Sequence, residues 1–295
     1  MQVHLVDGTY ELFRHFFALP EHRNREGLEV AAARGVLGSM LALLEEGATH
    51  VGVATDRVIE SFRNRLYPGY KTGEGIDPEL FGQFGPLEEA LEAAGFAVFG
   101  MVEYEADDGL AAAAARADAD RRVEKVWICT PDKDLAQCVK GSRVVQLDRR
   151  QRKSYDAQGV REKFGVEPAS IPDYLALVGD SADGFPGLPG WGAKSAATVL
   201  AHYEQLEKIP ASADDWEARP RGAAKLAATL VERRDEALLY KRLATLDAEG
   251  PEVGAVDDWQ WRGPRDGFRA AAERLDASTL VARVERLAAR PNTAV

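Results

Sequence analysis

Short apolar runs that each end at an acid recur along the first half of the chain and then stop. Val3–Val6 runs into Asp7, Val51–Ala54 into Thr55 and Asp56, and Lys125–Cys129 into TPDKDL, which carries Asp132 and Asp134. Ala97–Phe99 and Val144–Leu147 are two further runs of strand length. Between them, 9–19, 30–45, 78–94 and 105–117 read as helices, 30–45 from apolar residues at intervals of three and four. Alternating strands and helices predict an α/β domain, a mainly parallel sheet flanked by helices. In such sheets functional groups gather at the carboxyl ends of the strands, where this pattern puts three sets of acids.

Beyond about residue 168 no strand is predicted. Helices are expected at 171–178, 193–203, 222–232, 235–247 and 266–290, with a loop at 251–264. The expected organisation is an α/β domain over 1–168 and a helical domain over 169–290, which 295 residues can supply. No window approaches the ~18 apolar residues of a membrane span, and the N-terminus has no basic segment leading into an apolar run. Cys129 and Cys138 lack metal-like spacing and point to a reducing compartment. The expectation is a cytoplasmic monomer that does not engage membranes.

Two more acid sets follow. Glu105, Asp107 and Asp108 open a helix, where the dipole favours negative charge. Asp180 and Asp183 stand three apart. Singly, each reads equally as a cap or turn residue. Together, Asp7, Asp56, Glu105, Asp107, Asp108, Asp132, Asp134, Asp180 and Asp183 are costly to assemble, because carboxylates raise one another's pKa. Hard divalent cations resolve that cost, and Mg²⁺ or Mn²⁺ suits oxygen ligands. A net charge of −11 taken alone argues against nucleic acid. Assigning nine acids to metal leaves −2, so a DNA partner stays open if the bases cluster. RVIESFRNRLYPGYK at 57–71 offers Arg57, Arg63, Arg65 and Lys71 interleaved with Phe62, Tyr67 and Tyr70. Cations can hold a backbone and aromatics can stack bases; the same stretch also reads as a solvated loop. LDRRQRK at 147–153 reads as a plain surface turn.

PGLPGWGAKSA at 186–196 departs from the P-loop, because Ala193 separates Gly192 from Lys194 and no strand precedes it. It reads as a turn between two helices. Gly190 and Gly192 permit close backbone approach, the helix from Ala193 offers free N–H groups to a phosphate, and Lys194 adds charge. A tight turn without a ligand is the alternative.

LVDGTYELFR at 5–14, ATD at 54–56, FR at 62–63 with YPGYK at 67–71, YEADD at 104–108, TPDKDL at 130–135 and GDSADGFPGLPGWGAKSA at 179–196 resemble, in order, the bacterial and phage 5′-nuclease family. That family comprises the 5′→3′ exonuclease domain of DNA polymerase I and stand-alone flap endonucleases. The resemblance covers about residues 1–200. It implies a PIN-like nuclease domain, then a helical domain with a helix-three-turn-helix at about 171–203. It also implies metal-dependent hydrolysis of DNA at 5′ ends, flaps and nicks, in replication and repair.

All nine acids match the family's metal set. Two ions about 4 Å apart are expected, one on Asp7, Asp56, Glu105 and Asp107, the other on Asp108, Asp132, Asp134 and Asp183, with Asp180 in support. Lys71 matches the helical-arch lysine and Arg14 a recurrent first-helix arginine. Lys71 and Arg63 are expected to stabilise phosphoryl charge, and Asp107 to be essential. Arg14, Arg65, Tyr70, Gly187, Gly190, Gly192, Lys194 and Ser195 are expected along the DNA path, with K⁺ at the 187–195 turn. Two departures stand out: Glu74, where relatives often carry arginine, and Thr55, where they often carry an apolar residue, a change expected to affect packing. With no polymerase region following, the chain is expected to act alone. A PIN-like RNA nuclease and a non-catalytic DNA-junction binder are the rivals; the second leaves the acids unexplained. Trp259 and Trp261 are expected to pack.

Overall fold

The structure, a computed structural model, describes residues 1–289. The end of the last expected helix, residue 290, lies outside them. In chain order the elements are β1 (Gln2–Asp7), α1 (Gly8–Ala18), α2 (Ala31–Glu45), β2 (His50–Asp56), α3 (Phe62–Leu66), α4 (Pro78–Phe81), α5 (Phe84–Ala93), β3 (Ala97–Met101), α6 (Ala106–Ala119) and β4 (Lys125–Cys129). Then come β5 (Val144–Asp148), β6 (Lys153–Tyr155), α7 (Ala157–Phe164), α8 (Ile171–Val178), α9 (Ala193–Tyr203), α10 (Ala223–Glu232), α11 (Arg234–Ala244), α12 (Phe268–Arg274) and α13 (Ser278–Ala288).

Two compact units emerge. The first joins residues 1–59, 73–129 and, among the described residues, 248–289; the second joins 60–72 and 130–247. In the first, β1 pairs in parallel with β2 on one side and β4 on the other, and β3 pairs with β2, giving the order β3-β2-β1-β4. Both faces need cover, so these strands are nearly continuous apolar runs. Helices α1, α2 and α5 pack on one another beside β2 and β3, while α6, which returns the chain to β4, packs on all four strands. The Ala-rich stretch of α6 lets it lie close across all four strands.

The edge at the strand ends is tightly set. Asp7 caps α1, its Oδ1 accepting from the N–H of Tyr10 at 2.8 Å. Gly8 follows, and a Cβ there would lie 2.8 Å from the Ala54 carbonyl oxygen, so α1 begins against the end of β2. Thr55 is fully buried and donates to Glu88 Oε1 at 2.6 Å, while Arg57 Nε donates to Glu88 Oε2 at 2.8 Å. The hydroxyl thus serves a buried polar network, beyond the packing role expected of it. Trp259 is buried edge-on to Phe99, and Trp261 Nε1 donates to the Ala94 carbonyl at 2.8 Å, so both tryptophans pack as expected.

The second unit contains a β5–β6 antiparallel hairpin and the helices α8 to α11, whose core includes Leu177, Phe185, Trp191, Trp216 and Tyr240. Three expectations needed revision. The 78–94 helix divides into α4 and α5, and the 266–290 helix breaks at Asp276, which has φ +47°. Strand β6 and helices α3 and α7 carry too few apolar residues to announce themselves. No described helix is long and apolar enough to cross a membrane.

Because α1 meets β2 without spare room, Gly8→Ala should destabilise the protein by about 1–3 kcal/mol, as overpacking does. Urea unfolding followed by circular dichroism measures it.

Candidate active site

The first unit presents five of the expected acids. Asp7 and Asp56 end neighbouring strands whose register pairs Asp7 with Ala54, two residues short of Asp56. Asp56 Oδ1 accepts from the N–H of Ala106 at 2.7 Å, and its own N–H donates to Thr9 Oγ1 at 2.9 Å. The carboxylate therefore tethers the first turn of α6 to the end of β2. Glu105 is buried just before that helix, Asp107 is half-buried, and Asp108 is fully buried. Asp108 Oδ2 accepts from the N–H of Glu105 at 2.9 Å. One Asp108 oxygen thus holds the helix start within this unit, the capping role that the sequence also allowed it.

The second unit holds the other four. Asp134, Asp180 and Asp183 are buried, with one carboxylate oxygen from each within 4.8 Å of the others. Asp132 is exposed; its Oδ1 accepts from the N–H of Asp134 at 2.9 Å, and Gln146 Nε2 donates to its carbonyl. Asp180 pairs with Lys133 Nζ at 2.5 Å, and Asp183 Oδ1 with Lys71 Nζ at 3.0 Å. Asp134 Oδ1 is buried with no hydrogen-bond partner. Burial pushes the Asp134 carboxyl well above the usual carboxylate range, and the charges of Asp132, Asp183 and Asp180 push it further. Burial alone would lower the Lys133 ammonium, but the Asp180 hydrogen bond and the surrounding acids raise it on balance.

Three buried carboxylates, one with an orphaned oxygen, are an unsatisfied anionic pocket. A divalent cation with oxygen ligands supplies the missing partner, so the residues fit a metal. Lys133 was missed from sequence. Its signal was its place between Asp132 and Asp134, where a cation offsets two acids.

Lys71 is fixed from two directions. Its N–H donates to the Asp183 carbonyl at 3.0 Å as its ammonium reaches the carboxylate. A Cβ on Gly184 would lie 2.3 Å from the Gly69 carbonyl oxygen, so segment 69–71 rests directly on this turn.

The basic and aromatic residues sort into two groups. Arg65 is exposed. Arg14 is half-buried, its Nη2 donating to Glu11 Oε2 at 2.5 Å and lying 3.3 Å from His15 Nε2. Two expectations are corrected. Arg63 is 1% exposed; its Nε donates to the Leu243 carbonyl at 2.7 Å and its Nη2 to the Thr245 carbonyl at 3.1 Å. It therefore secures the C-terminal end of α11, and its burial removes it from the phosphate-stabilising role. Tyr70 is 4% exposed and belongs to the apolar core, so it is no stacking platform.

The turn between α8 and α9 also divides. Gly187 is buried at φ +71°, where a Cβ would lie 2.3 Å from the Gly179 nitrogen; it closes the turn and does not face a ligand. Gly190 (φ +85°) and Gly192 are exposed, with open space where a Cβ would stand. Ser195 Oγ accepts from the Gly192 N–H at 3.0 Å and donates to the Gly192 carbonyl at 2.9 Å, bracing the start of α9. Lys194 is exposed beside it, and Trp191 Nε1 is buried without a partner.

Residues 2–165 match the family model of the 5′-3′ exonuclease N-terminal resolvase-like domain, and 166–267 that of the 5′-3′ exonuclease C-terminal SAM fold. DNA polymerase I of Bacillus caldotenax is 35% identical over 88% of this chain and 29% of its own length. That of Bacillus subtilis (strain 168) is 34% identical over 95% and 32%. The chain thus spans about a third of the length of these relatives. Among solved structures, bacteriophage T5 5′-exonuclease with zinc bound superposes at TM-score 0.67 with 18% identity, covering 97% of this chain and 98% of that one. T5 flap endonuclease in a pseudo-enzyme–product complex with DNA and metal ions gives 0.65 with 20% identity, covering 97% and 98%. Flap endonuclease-1 from Methanococcus jannaschii gives 0.61 with 16%, covering 98% and 92%.

Two outcomes follow from the geometry. Asp134→Asn removes a buried charge facing like charges, so in EDTA it should melt a few degrees above wild type, about 2–4 °C per kcal/mol relieved. The rise in Tm that Mg²⁺ or Mn²⁺ gives wild type should be lost; scanning fluorimetry with and without metal reads both. Arg63→Ala leaves the buried Leu243 carbonyl without this donor and empties the space of a buried side chain, and should cost about 2–4 kcal/mol, measured by urea unfolding.

Proposed function

Because this chain belongs to the 5′-3′ exonuclease family, we propose that it hydrolyses DNA phosphodiester bonds at 5′ ends, flaps and nicks using two divalent metal ions. The observation that carries the reading is the orphaned, buried oxygen of Asp134 among Asp180 and Asp183. Zinc is bound in one T5 5′-exonuclease structure, and DNA and metal ions in the T5 flap endonuclease complex; by analogy the ligands here are Mg²⁺ or Mn²⁺ and DNA. Asp134, Asp180 and Asp183, with Asp132 beside them, would hold metal in the second unit; Asp7, Asp56, Glu105, Asp107 and Asp108 would do so in the first. Bound metal supplies a deprotonated water at neutral pH and stabilises charge on phosphoryl oxygens.

The side chains then have distinct work. Lys71 is paired with Asp183, and its ammonium would stabilise charge on a phosphoryl oxygen. Lys133 pairs with Asp180 and offsets its charge beside the other acids. Arg14 and Arg65 offer charge to the backbone. Gly190, Gly192 and Lys194 leave the start of α9 open to a phosphate, and carbonyls of the 187–195 turn would hold K⁺. The helix-three-turn-helix comprises α8, this turn and α9, in a helical domain following an α/β domain that ends near 168. Cys129 and Cys138, neither of them in a disulfide, suit a cytoplasmic enzyme.

A 5′-flap DNA labelled at its 3′ end should be cut near the flap junction with Mg²⁺ and left intact with EDTA. Asp107→Ala should slow single-turnover cleavage on the order of 10²-fold or more. An RNA flap of the same shape should be a poorer substrate. A wild-type protein that binds flap, nicked and single-stranded DNA but cuts none would overturn the proposal.

A further inference from the structure

The segment read from sequence as a plain surface turn, LDRRQRK, is the tip of the β5–β6 hairpin. Its one acid, Asp148, is 6% exposed, and its Oδ1 accepts from the Gln151 N–H at 2.9 Å. The carboxylate is thus spent on shaping the tip. Register sets Asp148 opposite Lys153, yet the two form no ion pair.

Arg150, Arg152, Lys153 and, from the neighbouring α7, Lys163 are exposed, and among the described residues none has a hydrogen bond or ion pair to a carboxylate. Other exposed arginines on this acidic chain divide: Arg122, Arg161 and Arg274 pair with Asp120, Glu167 and Glu89, while Arg25 and Arg221 have no acid partner, so the tip is set apart by the clustering of its cations. Lys153 and Lys163 instead share one aromatic ring, their ammonium groups 4.8 and 4.6 Å from the centroid of Tyr155. Two like charges are thereby gathered on one support. Arg152 has φ +54°, a conformation that costs an L-residue energy and that glycine adopts freely. An unpaired cation kept at a strained position, beside two lysines drawn together, describes a surface for a polyanion.

We propose that the β5–β6 tip, Arg150, Arg152 and Lys153 together with Lys163, is an additional contact for the sugar–phosphate backbone of duplex DNA. The proposal rests on the reading that this protein acts on DNA. Duplex is favoured over single strand because single-strand grooves use aromatic faces to stack bases, and the ring here already carries two ammonium groups. Contacts of this kind hold phosphates without reading sequence.

The test is equilibrium binding of a fluorescent 5′-flap DNA in EDTA across a salt series, for wild type, Arg152→Gly and the double variant Lys153→Gln/Lys163→Gln. A duplex without a flap and a single strand serve as separate probes. The double variant should raise Kd for flap and duplex DNA about 3–10-fold, and the slope of log K against log salt should shrink by about one to two. Arg152→Gly relieves the backbone, so its Tm should hold or rise while its affinity falls and its salt slope shrinks by about one. A structural role for Arg152 predicts the reverse, a lower Tm with unchanged binding. Unchanged Kd and slope in both variants, with wild type still cutting the flap, would overturn this proposal alone and leave the tip to another polyanion, such as an acidic protein. Loss confined to the single strand would overturn the duplex assignment. A wild type that neither binds nor cuts DNA would overturn the underlying function as well.

Discussion

The mutual repulsion of Asp134, Asp180 and Asp183 is the constraint on which the second unit depends. Like charges this close and this buried are unfavourable, and the protein meets the cost unevenly. Lys133 answers Asp180 and Lys71 answers Asp183, while Asp134 Oδ1 has no hydrogen-bond partner. An apolar triad would be cheaper. Retaining three carboxylates makes sense if a cation arrives from solvent, so that binding energy offsets the folding penalty.

That constraint explains features which look unrelated along the chain. Segment 60–72 belongs to the second unit although it interrupts the first in sequence. One of its two arginines, Arg63, is buried against the end of α11, one of its two tyrosines, Tyr70, fills the apolar core, and its lysine, Lys71, is bound to Asp183 through backbone and side chain. The residues that appeared to be a loose basic, aromatic surface are largely anchors. They deliver one ammonium to one carboxylate. In the first unit the acids do similar double duty: Asp7 caps α1, Asp56 tethers α6, and Asp108 holds the backbone before it.

Much of this was legible in the sequence, for a physical reason. Buried parallel strands must be apolar runs, and an acid at the end of such a run has few other places to go, so β1, β2, β4 and their acids stood out. The helices from α8 to α11 were legible because Gly and Pro turns bound them. What escaped was set by tertiary contact. Nothing local in FRNRL marks Arg63 as buried, because its acceptors lie about 180 residues away. β6 is three residues long, and of Lys153, Ser154 and Tyr155 only the tyrosine hints at a strand. Gly187 and Gly190 look alike in PGLPG, yet one closes the turn against Gly179 and the other faces open space.

The most direct measurement is a titration of Mn²⁺ into the wild-type protein, following free ion by electron paramagnetic resonance, with Mg²⁺ as competitor. The account predicts that two Mn²⁺ per chain leave the free signal and return when Mg²⁺ is added in excess. A free-ion signal that rises in step with added Mn²⁺, as in buffer alone, would contradict it: the buried carboxylates would then be neutralised by protons and lysines, and no metal chemistry could be built on them.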